Sequence, residues 1–64
     1  MHPATAALLN FFEYEHLPEH LQDVSRECHA LAHRMAETLP EGAEVTTGLR
    51  KLLEAKDCFV RANL

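Results

Sequence analysis

LPEGAE, residues 39–44, decides how this chain is organised. Proline has no backbone N–H and its ring clashes with the preceding turn, so a helix arriving at Leu39 stops there. Gly42 gives the chain freedom to turn before Ala43 and Glu44 begin the next helical run. On either side of this break the apolar residues recur at helical spacing. Upstream they are Leu21, Val24, Cys28, Leu31, Met35 and Leu39, a 3-4-3-4-4 pattern. Such a pattern forms one apolar seam along a helix. Downstream they are Val45, Leu49, Leu52, Leu53, Phe59 and Val60.

A break this short makes flanking helices antiparallel neighbours. Folding the chain at the loop sets Met35 against Leu49, Leu31 against Leu52 and Val24 against Phe59. The sequence therefore predicts an all-α fold: an antiparallel two-helix hairpin, with one helix over about 18–38, a loop over 39–43 and a second helix over about 44–62. Pro18 suits the first turn of the first long helix, and Glu19 and Asp23 lie near the positive end of its dipole. A shorter helix is expected within HPATAALLNFF, where Pro3 suits the first turn. It is too short to be stable alone. Leu53 and Val60 lie off the seam, as does part of the cluster Leu8, Leu9, Phe11 and Phe12. Two helices cannot cover that second stripe, so a homo-oligomer is expected. Gly48, inside the second helix, leaves room for close approach of a second chain or a ligand.

The chain has 64 residues, which bounds it to one small domain. A core this small normally needs disulfides, a metal, a ligand or partner chains. The net charge of −4 argues against a general coat for DNA or RNA, which would be basic. It leaves room for a local anion pocket. Two cysteines, Cys28 and Cys58, make no disulfide framework. The Met1–Ala7 start lacks the charged and apolar regions of a signal peptide. No run of about 18 apolar residues spans a membrane. A cytoplasmic location with reduced thiols is the expectation.

Five histidines include two i,i+4 pairs, His16/His20 and His29/His33. Such a pair shares a helix face and can chelate a metal. Without a HExxH glutamate the pattern reads first as exposed helix residues, and no metal or cofactor is expected. Cys28 and His29 are adjacent, so their side chains diverge by about 100° on a helix. That is a poor nucleophile–base pair, and ten acidic residues spread along the chain read as solvated faces rather than catalytic carboxylates. No enzyme is expected. Arg50, Lys51, Lys56 and Arg61 cluster on the second helix, where Glu54 and Asp57 supply local partners.

The stretch FFEYEHLPEHLQ, residues 11–22, asks for more than a bundle does. Tyr14 pairs a flat apolar ring with a polar tip. Beside a cation it suits stacking on a nucleobase while the cation meets a phosphate. Phe11 and Phe12 read first as core or interface.

The order of these residues resembles a known family. Phe12-Glu-Tyr14-Glu-His16-Leu-Pro18 is similar to an aromatic-x-Tyr-His-x-Pro opening with one residue inserted, followed by Gln22, Arg26 and Ala30-Leu31-Ala32. LPEGAEVTTGLRKLLEAKDCFVRA resembles that family's second helix: a proline, a small turn, Glu44, then a small-Leu-x-x-Leu-x-Glu-Ala run. Over residues 11–63 the chain thus resembles the phage hairpin-domain sponges known as anti-CBASS protein 2, with a related hairpin in Thoeris anti-defence proteins. The resemblance implies compact oligomers, often hexamers, in the host bacterial cytoplasm. It implies cyclic dinucleotides bound between protomers, and in some members cyclic trinucleotides near a three-fold axis, held without turnover so that the host's antiviral effector never fires. Carried onto this chain, the ligand-binding set is Phe12, Tyr14, His16, Pro18, Arg26, His29, Arg50 and Lys51. Tyr14 would stack on a base, and His16 with Pro18 would shape the corner. Arg26, or His29, would meet a phosphate. Arg50 or Lys51 would stand where a second-helix cation serves larger rings. Glu15, inserted between Tyr14 and His16, departs from the family pattern, and Glu19 and Glu27 add negative charge near the phosphate position. Two other readings remain open: a helical module that docks a host or phage protein, and a hairpin held by metal at one of the histidine pairs.

Overall fold

A computed structural model describes residues Met1–Leu64, and the chain is all-helical: α1 over Pro3–Asn10, α2 over Glu19–Thr38 and α3 over Ala43–Ala62. Pro3 occupies the first turn of α1, and His2 caps it by accepting a hydrogen bond at Nδ1 from the Ala4 N–H (3.0 Å). Pro18, at φ −52° and ψ 146°, stands just before α2 rather than inside it. The extended ψ of Pro18 is what turns the chain into the helix. Leu39 leaves the helical conformation as its backbone N–H closes the last turn of α2 on the Met35 carbonyl. No helix is long and apolar enough to cross a membrane.

The two long helices lie side by side. The loop joins them at one end. At the other, Asn63 donates its side-chain amide to the His20 carbonyl (2.7 Å), tying the end of α3 to the start of α2. Eight of the 64 residues are buried, so each one matters to the stability of so small a domain. The central cluster is Leu9, Phe12, Cys28, Ala32 and Leu49, with Leu8, Val24, Ala36, Val45, Leu52 and Leu53 packed around it.

Two expectations need correction. First, the buried stripe of α2 is Leu21, Ser25, Cys28 and Ala32, not the Leu21–Val24–Cys28–Leu31–Met35–Leu39 seam. Leu31 and Leu39 are exposed, and so is Phe59, which the hairpin register had set against Val24. The cause is α1. It brings Leu9 and Phe12 into the cluster, and a whole aromatic ring fits there because α2 offers alanine and cysteine in that layer. The inward face of α2 is therefore rotated toward its small residues. Second, part of the extra apolar stripe is covered within the chain: α1 packs on both long helices, and Leu8, Leu9, Phe12 and Leu53 all join the core or its shell.

Ser25 is fully buried, and its Oγ has no hydrogen-bond partner. A buried hydroxyl left unpaired costs about 1–3 kcal/mol, and alanine is also the better helix former. Ser25→Ala is expected to stabilise the protein by roughly 1–2 kcal/mol, read as a higher urea midpoint at unchanged m-value. A lower midpoint would mean that the hydroxyl has a partner in solution.

Candidate functional site

The corner between α1 and α2 is built by short-range bonds. The Leu17 N–H donates to the Tyr14 carbonyl (3.0 Å), closing a tight turn. Gln22, on the first turns of α2, donates Nε2 to the Leu17 carbonyl (2.9 Å) and reaches the Glu15 carbonyl at 3.5 Å. The turn is thereby strapped to the helix. From deeper in α2, His29 donates from Nδ1 to the Phe12 carbonyl (3.2 Å). A carbonyl can only accept, so the proton sits on Nδ1 and Nε2 is left for other contacts.

Tyr14 is half-buried between two α2 side chains. Its ring meets His29 edge-on, with centroids 5.3 Å apart and planes at 79°. The Arg26 guanidinium lies 5.3 Å from the Tyr14 centroid, within cation–π range. Arg26 also pairs with Asp23 (2.9 Å). The hydrogen bond it donates to Asp23, with a smaller contribution from the neighbouring Tyr14, raises its pKa further above the ordinary arginine value. His33 continues the row, its ring 4.2 Å from that of His29 at a tilt of 38°, and its Nδ1 stands 3.9 Å from Glu37. Spacing alone explains the order: positions 22, 26, 29 and 33 follow one another up one side of a helix.

Glu13, Tyr14, Glu15, His16 and His29 line an open depression of about 370 Å³. Arg26 faces a neighbouring one of about 550 Å³, together with Glu19, His20, Gln22 and Asp23. Each hollow carries two carboxylates, Glu13 and Glu15 in the first and Glu19 and Asp23 in the second, and the second also holds Arg26.

Of the residues singled out in the sequence, Tyr14, His16, Arg26 and His29 come together at this corner, with Pro18 exposed beside them at the start of α2. Phe12 does not present its ring there: it is fully buried in the core, and only its carbonyl serves the corner, as the anchor for His29. Arg50 stands apart, over a depression of about 460 Å³ lined by His2, Gly42 and Thr46 among others. Lys51 is exposed and borders none of these hollows. Two contributors lie outside the ligand-binding set that the resemblance supplied. His33 stacks on His29, for which the i,i+4 spacing was the available signal, and Glu13 supplies a second acidic wall, for which there was none.

His16 and His20 border different hollows, and no group of three or more His, Cys, Asp or Glu side chains could hold a metal ion. Cys28 is nearly enclosed, and burial raises its thiol pKa, with Lys56 opposing and Glu27 adding to the rise. Its chemistry is that of a core residue. Cys58 is exposed, with Arg61 Nη2 3.3 Å from its sulfur.

Fold and site together define a small all-helical protein with an aromatic–imidazole–guanidinium corner. No family model matches the chain, and no curated protein or solved structure does either.

Proposed function

We propose that the protein is a phage-encoded sponge. It binds cyclic oligonucleotide second messengers, cyclic di- and trinucleotides, and holds them uncleaved so that CBASS-type antiviral signalling stops. The observation that carries this reading is the Tyr14 ring gripped by Arg26 and His29 at an exposed corner. A nucleobase stacks on such a ring, and the neighbouring guanidinium meets the phosphate. Arg26 is the one cation at the corner, so the phosphate goes to its side and the base to Tyr14 and His29; because Asp23 already pairs with Arg26, the phosphate shares or displaces that contact. The resemblance over residues 11–63 points the same way.

A cyclic dinucleotide carries two flat bases and two negative charges. One protomer's open corner covers only part of it. Helical hairpins assembled as a homo-oligomer, in the resemblance often a hexamer, bring a second protomer over the ligand, and pockets shared between chains bury most of such a molecule. Arg50, in its own hollow, is the cation available to a larger ring. The exposed apolar residues Leu31, Leu39 and Phe59 support a second reading, a helical module that docks a protein partner and binds no nucleotide.

A thermal-shift panel of cyclic di- and trinucleotides and ADP-ribose-type signals separates these readings. A ligand that binds only the native state raises the melting temperature by mass action. The expected result is a rise of several degrees with one ligand class, recovered intact after denaturation. A cleaved product would indicate an enzyme, and no shift with any ligand would favour the protein-docking module.

A further inference from the structure

One broad side of the molecule is apolar and uncovered. Leu31, Met35 and Leu39 of α2 and Val45, Gly48 and Leu52 of α3 border a groove of about 330 Å³. The α3 stripe continues through Ala55 to Phe59 with 3-4-3-4 spacing, the pattern by which helices pack on helices. Phe59 is 57% exposed. A Cβ built on Gly48 would meet nothing within 4 Å, so the notch there is open to an incoming side chain. This side of the molecule faces away from the Tyr14 corner, since Leu31 and His29 lie about 200° apart around α2.

The α2 border of the groove carries its own partner code. Glu27 and Arg34 flank Leu31 at i−4 and i+3, on the same side of the helix. Both are exposed, and neither enters any ion pair made within the protein. Opposite charges seven residues apart about a central leucine are self-complementary. If two α2 helices lie antiparallel, with a two-fold axis crossing at Ala30–Leu31, Glu27 of each copy falls opposite Arg34 of the other. In the same register Phe59 of one copy comes to the level of the open notch at Gly48 of the other. The molecule measures 34 × 18 × 16 Å, so its 34 by 18 Å side is of the size a stable complex uses, roughly 800 Å² of accessible surface per partner.

We infer that this face is a two-fold interface between copies of the chain, α2 packed antiparallel to α2, forming a four-helix bundle from two protomers. The arrangement is isologous, each copy giving and receiving the same contacts. It covers Leu31, Leu39 and Phe59, and it leaves the Tyr14 corner open. It stands independently of the ligand reading.

Charge reversal tests it. Sedimentation equilibrium of the full chain is expected to give an even multiple of the 7.2 kDa protomer mass. Glu27→Arg alone, or Arg34→Glu alone, turns two attractions into two repulsions and is expected to weaken the dimer roughly tenfold or more. The double variant restores the pairing with the signs exchanged and is expected to recover wild-type association. Far-UV circular dichroism checks that each variant keeps its helices. A wild-type monomer at about 0.1 mM, an assembly indifferent to either reversal, or a double variant no better than the singles would each overturn the interface. An intact two-fold assembly that binds no nucleotide would remove the ligand reading and leave this one standing.

Discussion

Phe12→Ala is expected to leave most of the protein unfolded at 25 °C. The Phe12 side chain is fully buried, the largest in the molecule to be so, and it packs in one cluster with Leu9, Cys28, Ala32 and Leu49. Truncating a buried phenylalanine costs about 3–5 kcal/mol, through lost transfer energy and the cavity left behind. Native domains hold on the order of 0.05–0.15 kcal/mol per residue, so the loss is comparable to the whole stability of this one. Phe12→Leu keeps most of the volume and is expected to fold with a lower urea midpoint. Helix content by circular dichroism and a urea titration of both variants check this. Phe12→Ala with wild-type stability would mean that α1 does not pack as described, and would return Phe12 to the surface. The leucine variant also separates the two roles the residue has been given. If Phe12 acts only through the core, Phe12→Leu binds ligand as wild type does once folded.

Tyr14→Ala is expected to act in the opposite way, on binding and hardly on folding. The ring is half-buried and outside the central cluster, so its removal leaves the core packed. Base–aromatic stacking contributes about 1–3 kcal/mol per base, which corresponds to a loss of about fivefold to somewhat over a hundredfold in affinity. Tyr14→Phe keeps the ring and is expected to retain most of the binding. Calorimetric titration of both variants with the cyclic nucleotide found in the thermal panel measures the difference. Equal affinity for Tyr14→Ala and wild type would sink the assigned site while leaving the fold untouched.

The two substitutions lie two residues apart, and their contrast shows where sequence reading stops. In FFEYEHLPEHLQ the aromatics look alike. Phe12 and Tyr14 are both near the end of a short helix, and both belong to the motif that carries the resemblance. Periodicity could not sort them, because the segment from Phe11 to Pro18 is neither helix nor strand and has no period to read. Only the packing of α1 onto α2 and α3 sends Phe12 inward and leaves Tyr14 at the rim. The same event rotates α2. A 3-4 pattern of large apolar residues names one face, but a third helix that brings its own leucine and phenylalanine makes the smaller residues the better inward ones.

Much of the local structure was nonetheless decided by residue chemistry alone. Pro18 and Pro40 bound α2 because proline cannot continue a helix from its N-terminal side. The long helical runs on both sides of LPEGAE follow from their 3.6-residue periodicity. The i,i+4 spacing of His29 and His33, and the i,i+3 spacing of Asp23 and Arg26, put those pairs in contact on any helix. These are short-range consequences, complete within a turn or two of chain. What the tertiary structure decided was long-range: which face of α2 is buried, that Phe12 is core, that Gln22 and His29 bond back to the carbonyls of the preceding turn, and that Leu31, Leu39 and Phe59 remain uncovered. Each depends on a neighbour many residues away competing for the same apolar surface, and no local pattern in the chain encodes which neighbour wins.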